Sequence, residues 1–385
     1  MLGTALLTAL VVPVLVRPAW AQAERRITLD EALREARRAA PDLIVARAQQ
    51  QVAHAEVGIA GVYPNPSVSV GTSTQTAKLS GTLSIPLVVL GQRGASIDAA
   101  RADEATVRLD TQVAWNDIRQ AAVRAYIALW LAEGVAEARN QSAVIEATLE
   151  QSILQRVQVG SAPELDSMRV HAEKLRADDD VLEARAQVAA SGSELGRWMG
   201  IYDGGGLRAA GNLEAPDVAP ALPLLLSRIN GNAAVQRDQS EARAADARVE
   251  RERALVRPSI GLDVGMDLWD PTLLPAGATG TPPVNYRAAL TFDVPAFNQR
   301  GPYIDREKAQ GDVARARMQS ARVQAAAELT AAYRTFEAAT ARRRTLVDSI
   351  VPAAEVAAKA TVEAYMLGRA QIVAVLDAQR ALVDV

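Results

Sequence analysis

Pro258-Ser259-Ile260-Gly261-Leu262-Asp263-Val264-Gly265-Met266-Asp267-Leu268 alternates apolar with small or acidic residues along its whole length. In an extended chain Ile260, Leu262, Val264, Met266 and Leu268 fall on one side, and Gly261, Asp263, Gly265 and Asp267 on the other. A partner run sets Tyr286, Ala288, Leu290, Phe292 and Val294 against Arg287, Ala289, Thr291 and Asp293, with Trp269 and Tyr286 at the hairpin ends. Each run is about 9 to 11 residues long, enough for a tilted strand to cross a bilayer. The same period also suits a half-buried antiparallel sheet on a soluble core, so alternation alone leaves the solvent open.

The pattern is written twice. An earlier copy has Pro66-Ser67-Val68-Ser69-Val70-Gly71, then Leu83-Ser84-Ile85-Pro86, then a Gln92-Arg93-Gly94 turn. The later copy closes with Leu290-Thr291-Phe292-Asp293-Val294-Pro295 and Gln299-Arg300-Gly301. In the first copy Val68, Val70 and Thr72 form one face, matched by Leu79, Gly81, Leu83 and Ile85 on the partner strand. Duplication over this distance marks a repeated architecture, with β-hairpins expected over 66–88 and 258–295.

Very long helices follow both hairpins. Between Gly94 and Val159 there is no proline and only Gly134 as a further glycine, so about 65 residues can run as one helix of roughly 100 Å. From Gly301 to Leu367 the second copy does the same, with Pro302 in the tolerated first turn and Pro352 as an interruption. Both rods break at a glycine, in Val159-Gly160-Ser161-Ala162-Pro163 and in Leu367-Gly368-Arg369-Ala370, and a returning helix follows each. Helical hairpins are therefore expected over 94–200 and 301–385. Ile118, Ala122, Ala125 and Leu129 make one apolar stripe, and Val123, Ile127 and Trp130 a second beside it, which predicts helical neighbours on two sides.

Thr28-Leu29-Asp30-Glu31 is a capping box that starts an earlier helix, broken at Pro41 and ended near Gly58–Gly61 by Tyr63-Pro64-Asn65-Pro66. Gly204-Gly205-Gly206 with Pro216, Pro220 and Pro223 reads as a linker over 204–223, between a first repeat over 22–203 and a second over 224–385. After Gly160 about ten helical turns fit before Gly204, whereas after Gly368 only about five fit before Val385, so the second repeat is expected to be cut short at its C-terminus.

Composition agrees with long helices packed through small side chains: only 4% of the 385 residues are aromatic, and charges of both signs are interleaved. A formal net charge of -3 gives no reason to expect nucleic acid. The absence of cysteine excludes disulfides, thiolate metal sites, a cysteine nucleophile and a lipid-modified N-terminal cysteine. Leu2 to Val16 is a short apolar run followed by Ala19-Trp20-Ala21, which reads as a signal peptide over 1–21 rather than a membrane anchor, for which the run is short.

The fold class expected is mainly α with membrane β-strands: duplicated long helical hairpins and four strands per chain. Four strands cannot close, and an open edge in lipid leaves backbone groups unpaired at several kcal/mol each, to order of magnitude. Membrane strands would have to be shared among copies, with Asp263, Asp267, Arg287 and Asp293 lining a water-filled barrel lumen.

On these residues the chain resembles the TolC-like outer-membrane efflux protein family, and especially its heavy-metal-efflux branch. The resemblance spans nearly the whole mature chain. It is carried by Ile27-Thr28-Leu29-Asp30-Glu31-Ala32-Leu33 with Pro41-Asp42-Leu43, by Tyr63-Pro64-Asn65-Pro66, by Leu90-Gly91-Gln92-Arg93-Gly94 and by Leu376-Asp377-Ala378-Gln379-Arg380. It implies a homotrimer with a twelve-stranded outer-membrane β-barrel and an α-helical periplasmic tunnel, working as exit duct for a periplasmic adaptor and an inner-membrane RND-type pump. The implied cargo is heavy-metal cations, and no cofactor is implied.

The resemblance also implies that the tips close the duct. Of the family's two pore-facing aspartates after the second-repeat glycine, Asp377 matches one and Ala374 stands at the other position. Tyr365 and Asp166 match a tyrosine and an aspartate that link tip helices, while the family's arginine position holds Ala370, with Arg369 beside it as a substitute. Asp377 also fits an ordinary solvated helix carboxylate, and Asp166 an acidic residue favoured by a helix N-terminus.

Enzyme chemistry finds no support. His54 and His171 are far apart on polar helical stretches, the methionines are unpaired, and Gly204-Gly205-Gly206 lacks the Lys-Ser/Thr tail of a phosphate loop. The rival function is a periplasmic coiled-coil adaptor or scaffold, but such proteins carry one helical hairpin between β-rich domains rather than two hairpins with strands between helices.

Overall fold

The computed structural model describes residues 24–74, 76–211, 213 and 218–384; the expected signal peptide, 1–21, lies outside them. In chain order the elements are β1 (Arg25–Ile27), α1 (Leu29–Ala39), α2 (Pro41–Ala60), β2 (Ser67–Gly71), β3 (Leu79–Leu87), α3 (Gln92–Gln158), α4 (Glu164–Trp198) and β4 (Leu207–Ala209). Then come α5 (Leu222–Ser227), α6 (Ala233–Ala254), β5 (Ser259–Leu268), β6 (Asn285–Asp293), α7 (Gly301–Thr345), α8 (Val351–Met366) and α9 (Ile372–Asp384). They form two compact units, and α3 contributes to both.

The first unit comprises residues up to Ala40, Arg119–Leu213 and those from Val351. Its core is a collar around the end of the first repeat. Thr28 caps α1 as its sequence predicts: its hydroxyl accepts from the Glu31 amide, and its own amide donates to Glu31 Oε2 at 2.9 Å. The Thr28 amide and then the Thr28 hydroxyl, which donates to the same Glu31 Oε2 at 3.0 Å, hold the Glu31 carboxyl below the usual range. Ile27, Ala32, Tyr126, Leu129, Leu195, Met199 and Leu207 pack into one cluster. The 204–223 stretch is more than a linker here, because β4 inside it pairs in parallel with β1. The Tyr126 hydroxyl lies 3.1 Å from the Ile27 carbonyl and 2.9 Å from that of Ala210, tying α3 to the end of both strands. α4 ends in a turn where Gly200 has φ +71 and a Cβ would stand 2.4 Å from the Ala39 carbonyl, so only glycine fits.

The second unit comprises Pro41–Ile118 and Glu214–Ile350. Its sheet has the order β2-β3-β5-β6, antiparallel throughout. The two predicted hairpins thus join in one sheet through β3 and β5, from Leu79 opposite Leu268 to Leu87 opposite Ile260. β2 has only 5 residues, shorter than the other three; its ladder ends at Gly71, and beyond it the Ser73 amide donates to the Ala77 carbonyl at 3.2 Å.

The duplicated turn has a structural role in each copy. Arg93 donates to the Gly61 carbonyl at 2.7 Å and lies over the Tyr63 ring; Arg300 donates to Glu252 at 2.7 Å and lies over Tyr303. In both repeats the arginine after the strands fastens the new helix to what precedes them. Gly91 has φ +87, and a Cβ there would meet the Arg257 guanidinium at 2.6 Å, where it donates to the Leu90 carbonyl. α3 runs unbroken for 67 residues. Its counterpart is α7, a five-residue π-helical turn over Leu346–Ile350, and α8, so the expected interruption falls just before Pro352.

Candidate functional sites

The sheet has two unlike faces. Register puts Val68 opposite Leu83, Leu83 opposite Val264, and Val264 opposite Ala288, so the apolar residues of all four strands share one side. Among the described residues nothing covers that side. Val68 is 73% exposed, Tyr286 78% and Leu290 58%, values typical of polar surface residues, yet these side chains are apolar or aromatic. Among the described residues both edge strands, β2 and β6, have a partner on one side only.

The opposite face is polar and internally bonded, and it carries every lumen candidate. Asp263 accepts from the hydroxyls of Ser84 and Thr291, Arg287 donates to Asp267 at 2.9 Å, and Ser259 donates to Asp293 at 2.9 Å. The aspartates were visible in the sequence. Their hydroxyl partners were not, because Ser84 is 179 positions from Asp263 and only the β3–β5 register brings them together.

At the hairpin tips, Leu149, Ile153, Val170, Tyr365, Ile372, Val375 and Leu376 form a second apolar cluster, joining the tip of the first helical hairpin to that of the second. Tyr365, buried, points its hydroxyl at Asp166 Oδ2, 3.3 Å away. Burial first, and then the Asp166 charge, raise the Tyr365 phenol above its ordinary value, with Arg156 opposing. Arg156, which the sequence did not single out, lies over the Tyr365 ring at 5.1 Å. Asp377 is exposed beside Arg380, whose guanidinium reaches it at 3.9 Å but is held mainly by Glu173. Arg369 is exposed as well, and its backbone amide closes the turn onto the Ala364 carbonyl at 2.8 Å. The structure therefore brings Tyr365 and Asp166 together and leaves Asp377 and Arg369 on the surface of the chain.

Above the tip, Glu146 on α3 is buried, and among the described residues its Oε2 has no hydrogen-bond partner. Burial, then the nearby Glu173 charge, push its carboxyl up, while Arg380 pulls it down. His54 and His171 are exposed and each meets a glutamate, Glu104 at 3.1 Å and Glu150 at 2.6 Å. Among the described residues no group of three or more His, Asp or Glu side chains is arranged to hold a metal ion, and no helix is long and apolar enough to cross a membrane.

An uncovered apolar sheet face with open edges, together with paired long helical hairpins, defines a class: the fold is that of TolC-like outer-membrane efflux channels. Over 97% of its length the chain superposes on the channel protein CusC with a TM-score of 0.69 and 19% identity, covering 91% of that chain. The outer-membrane protein VceC of Vibrio cholerae matches over 92% of this chain and 90% of its own, with a TM-score of 0.66 and 17% identity. In sequence the chain is 25% identical over 364 residues to the cobalt-zinc-cadmium resistance protein CzcC of Cupriavidus metallidurans, covering 92% of this chain and 84% of that protein. No family model matches the chain. The resemblance drawn from the duplicated motifs thus holds for the fold and extends to a heavy-metal resistance relative.

Proposed function

We propose that the chain is one protomer of an outer-membrane exit duct in a tripartite efflux system. The observation that carries this is the four-stranded sheet: its apolar face is uncovered, its polar face is satisfied within the chain, and its two edges are open. Water would not tolerate the first face, and lipid would not tolerate the edges. Three copies, each joining β6 to β2 of the next, close a twelve-stranded barrel and remove every edge. The helical hairpins then continue the duct into the periplasm, where an adaptor and an RND-type pump supply substrate and energy, and the duct performs no chemistry. Heavy-metal cations are the cargo this reading favours, on the likeness to CzcC.

The lumen of the barrel falls to the face of Asp263, Asp267, Arg287 and Asp293, and the tip gate to Tyr365 and Asp166, with Asp377 as a ring of three carboxylates and Arg369 at its rim. A carboxylate ring attracts cations and repels anions. Asp377→Asn should shift the reversal potential toward weaker cation preference in single-channel recordings, and an unchanged potential removes the ring.

The decisive experiment is fractionation with gel analysis. The duct reading expects the protein in the outer membrane as a trimer that dissociates on heating; recovery only from the soluble periplasm overturns it and restores the adaptor reading. Deleting the gene and scoring growth on cobalt, zinc, cadmium and copper against a drug panel decides the cargo. Unchanged metal tolerance with raised drug sensitivity would replace metal by organic substrates.

A further inference from the structure

Arg156 sits four residues before Gly160, in the last turn of α3. Among the described residues it makes no ion pair with a carboxylate. It faces instead the second helical hairpin: its guanidinium stacks over the Tyr365 ring at 5.1 Å, and its Nη1 meets Met366 Sδ at 3.6 Å. Its own carbonyl is occupied by Ser161, which donates from its amide at 2.8 Å and its hydroxyl at 3.0 Å, so the turn that follows holds the arginine's backbone in place. Tyr365 is thereby gripped from two sides by the first hairpin, on its face by Arg156 from α3 and at its hydroxyl by Asp166 from α4. A cation over an aromatic face is directional, because the ring quadrupole attracts it only near the ring axis. It therefore limits the ring's tilt, and the tilt decides whether the hydroxyl reaches Asp166.

We propose that Arg156 is a positioning residue of the tip latch, which orients the Tyr365 ring so that its hydroxyl stays on Asp166 and the second hairpin stays closed on the first. The role of that latch in gating rests on the exit-duct reading; the positioning does not.

The chain has no cysteine, so spin labels can be placed at will. With labels at Gln158→Cys and Leu367→Cys, both exposed, in the full-length protein in detergent, the distance between the hairpin tips should give a single narrow distribution. Arg156→Gln is expected to broaden it, and Arg156→Lys, which keeps a cation, to broaden it less. In a Tyr365→Phe background, where the hydroxyl link is already gone, Arg156→Gln should add little. A merely structural arginine would broaden the distribution equally in both backgrounds, and that result, or no broadening at all, overturns the proposal. Bilayer recordings of the same variants test the gate separately: broadened tips with unchanged opening would leave Arg156 as the positioning residue and defeat the gating role of the latch.

Discussion

The collar and the sheet use side chains of the same kind to opposite ends. In the collar Ile27, Tyr126 and Leu129 are at most 1% exposed, and the strands involved, β1 and β4, are three residues each. In the sheet the strands run to 10 residues, and Val70, Tyr286 and Phe292 are 56–78% exposed. The hydrophobic effect acts on both, but only the collar satisfies it within one chain. The contrast teaches where the chain is complete and where it needs something else. A collar core can form in an isolated chain, whereas the sheet asks for lipid on one face and a second strand at each edge.

The largest expected effect lies in the collar. Tyr126→Ala removes a fully buried ring and the hydroxyl that serves two carbonyls, and should cost about 3–5 kcal/mol in thermal or denaturant unfolding of the purified protein. A loss near that of a surface change would mean the collar is not a core. Next comes a pair that tests the sheet directly. Leu290→Arg on the apolar face should cost about 2–4 kcal/mol in lipid and deplete outer-membrane trimers, while Ala289→Arg on the polar face should leave trimer yield unchanged. Equal effects from the two would break the comparison, since they would place water on both faces.

The smallest effect contrasts two carboxylates. Asp263 in the sheet has hydroxyl partners, whereas Glu146 in the helical hairpin is buried with an orphan oxygen. Because the folded state raises the Glu146 value above its ordinary 4.5, the folded protein binds this proton more tightly than the unfolded chain. Stability from this group is therefore present at low pH and lost as pH rises through the raised value. Glu146→Gln should stabilise by about 1 kcal/mol at neutral pH, with the gain shrinking as pH falls toward 4.5. A gain independent of pH would show that the carboxyl stays charged in the fold.

Much of this was legible beforehand because it depends on short-range periodicity. Alternation placed β5 and β6 within a residue or two, the lack of proline between Gly94 and Val159 announced α3, and Gly160 and Gly368 marked the tips, both at φ +71. The capping box at Thr28 formed as written. The rest depends on partners far along the chain. Nothing local says that β3 pairs with β5, that three residues inside 204–223 pair with three residues near the start, or that Arg156 meets a ring 209 positions later (365 − 156). The apolar stripe of Ile118, Ala122, Ala125 and Leu129 was readable and is buried, but that the adjoining Ile127 lies 45% exposed was not, since a stripe states a need for contact without naming the contact.

By itself the sequence determined the repeat, the strand faces, the helix lengths and the tips, because each follows from side-chain period and backbone freedom within a few residues. Only the tertiary structure decided that the two hairpins form one sheet with two free edges, that β1 and β4 knit the collar, and that Tyr365 is held between Arg156 and Asp166. Those facts are set by which surfaces meet, and surfaces meet in space after the chain has folded back across some 200 residues, a distance no local pattern encodes.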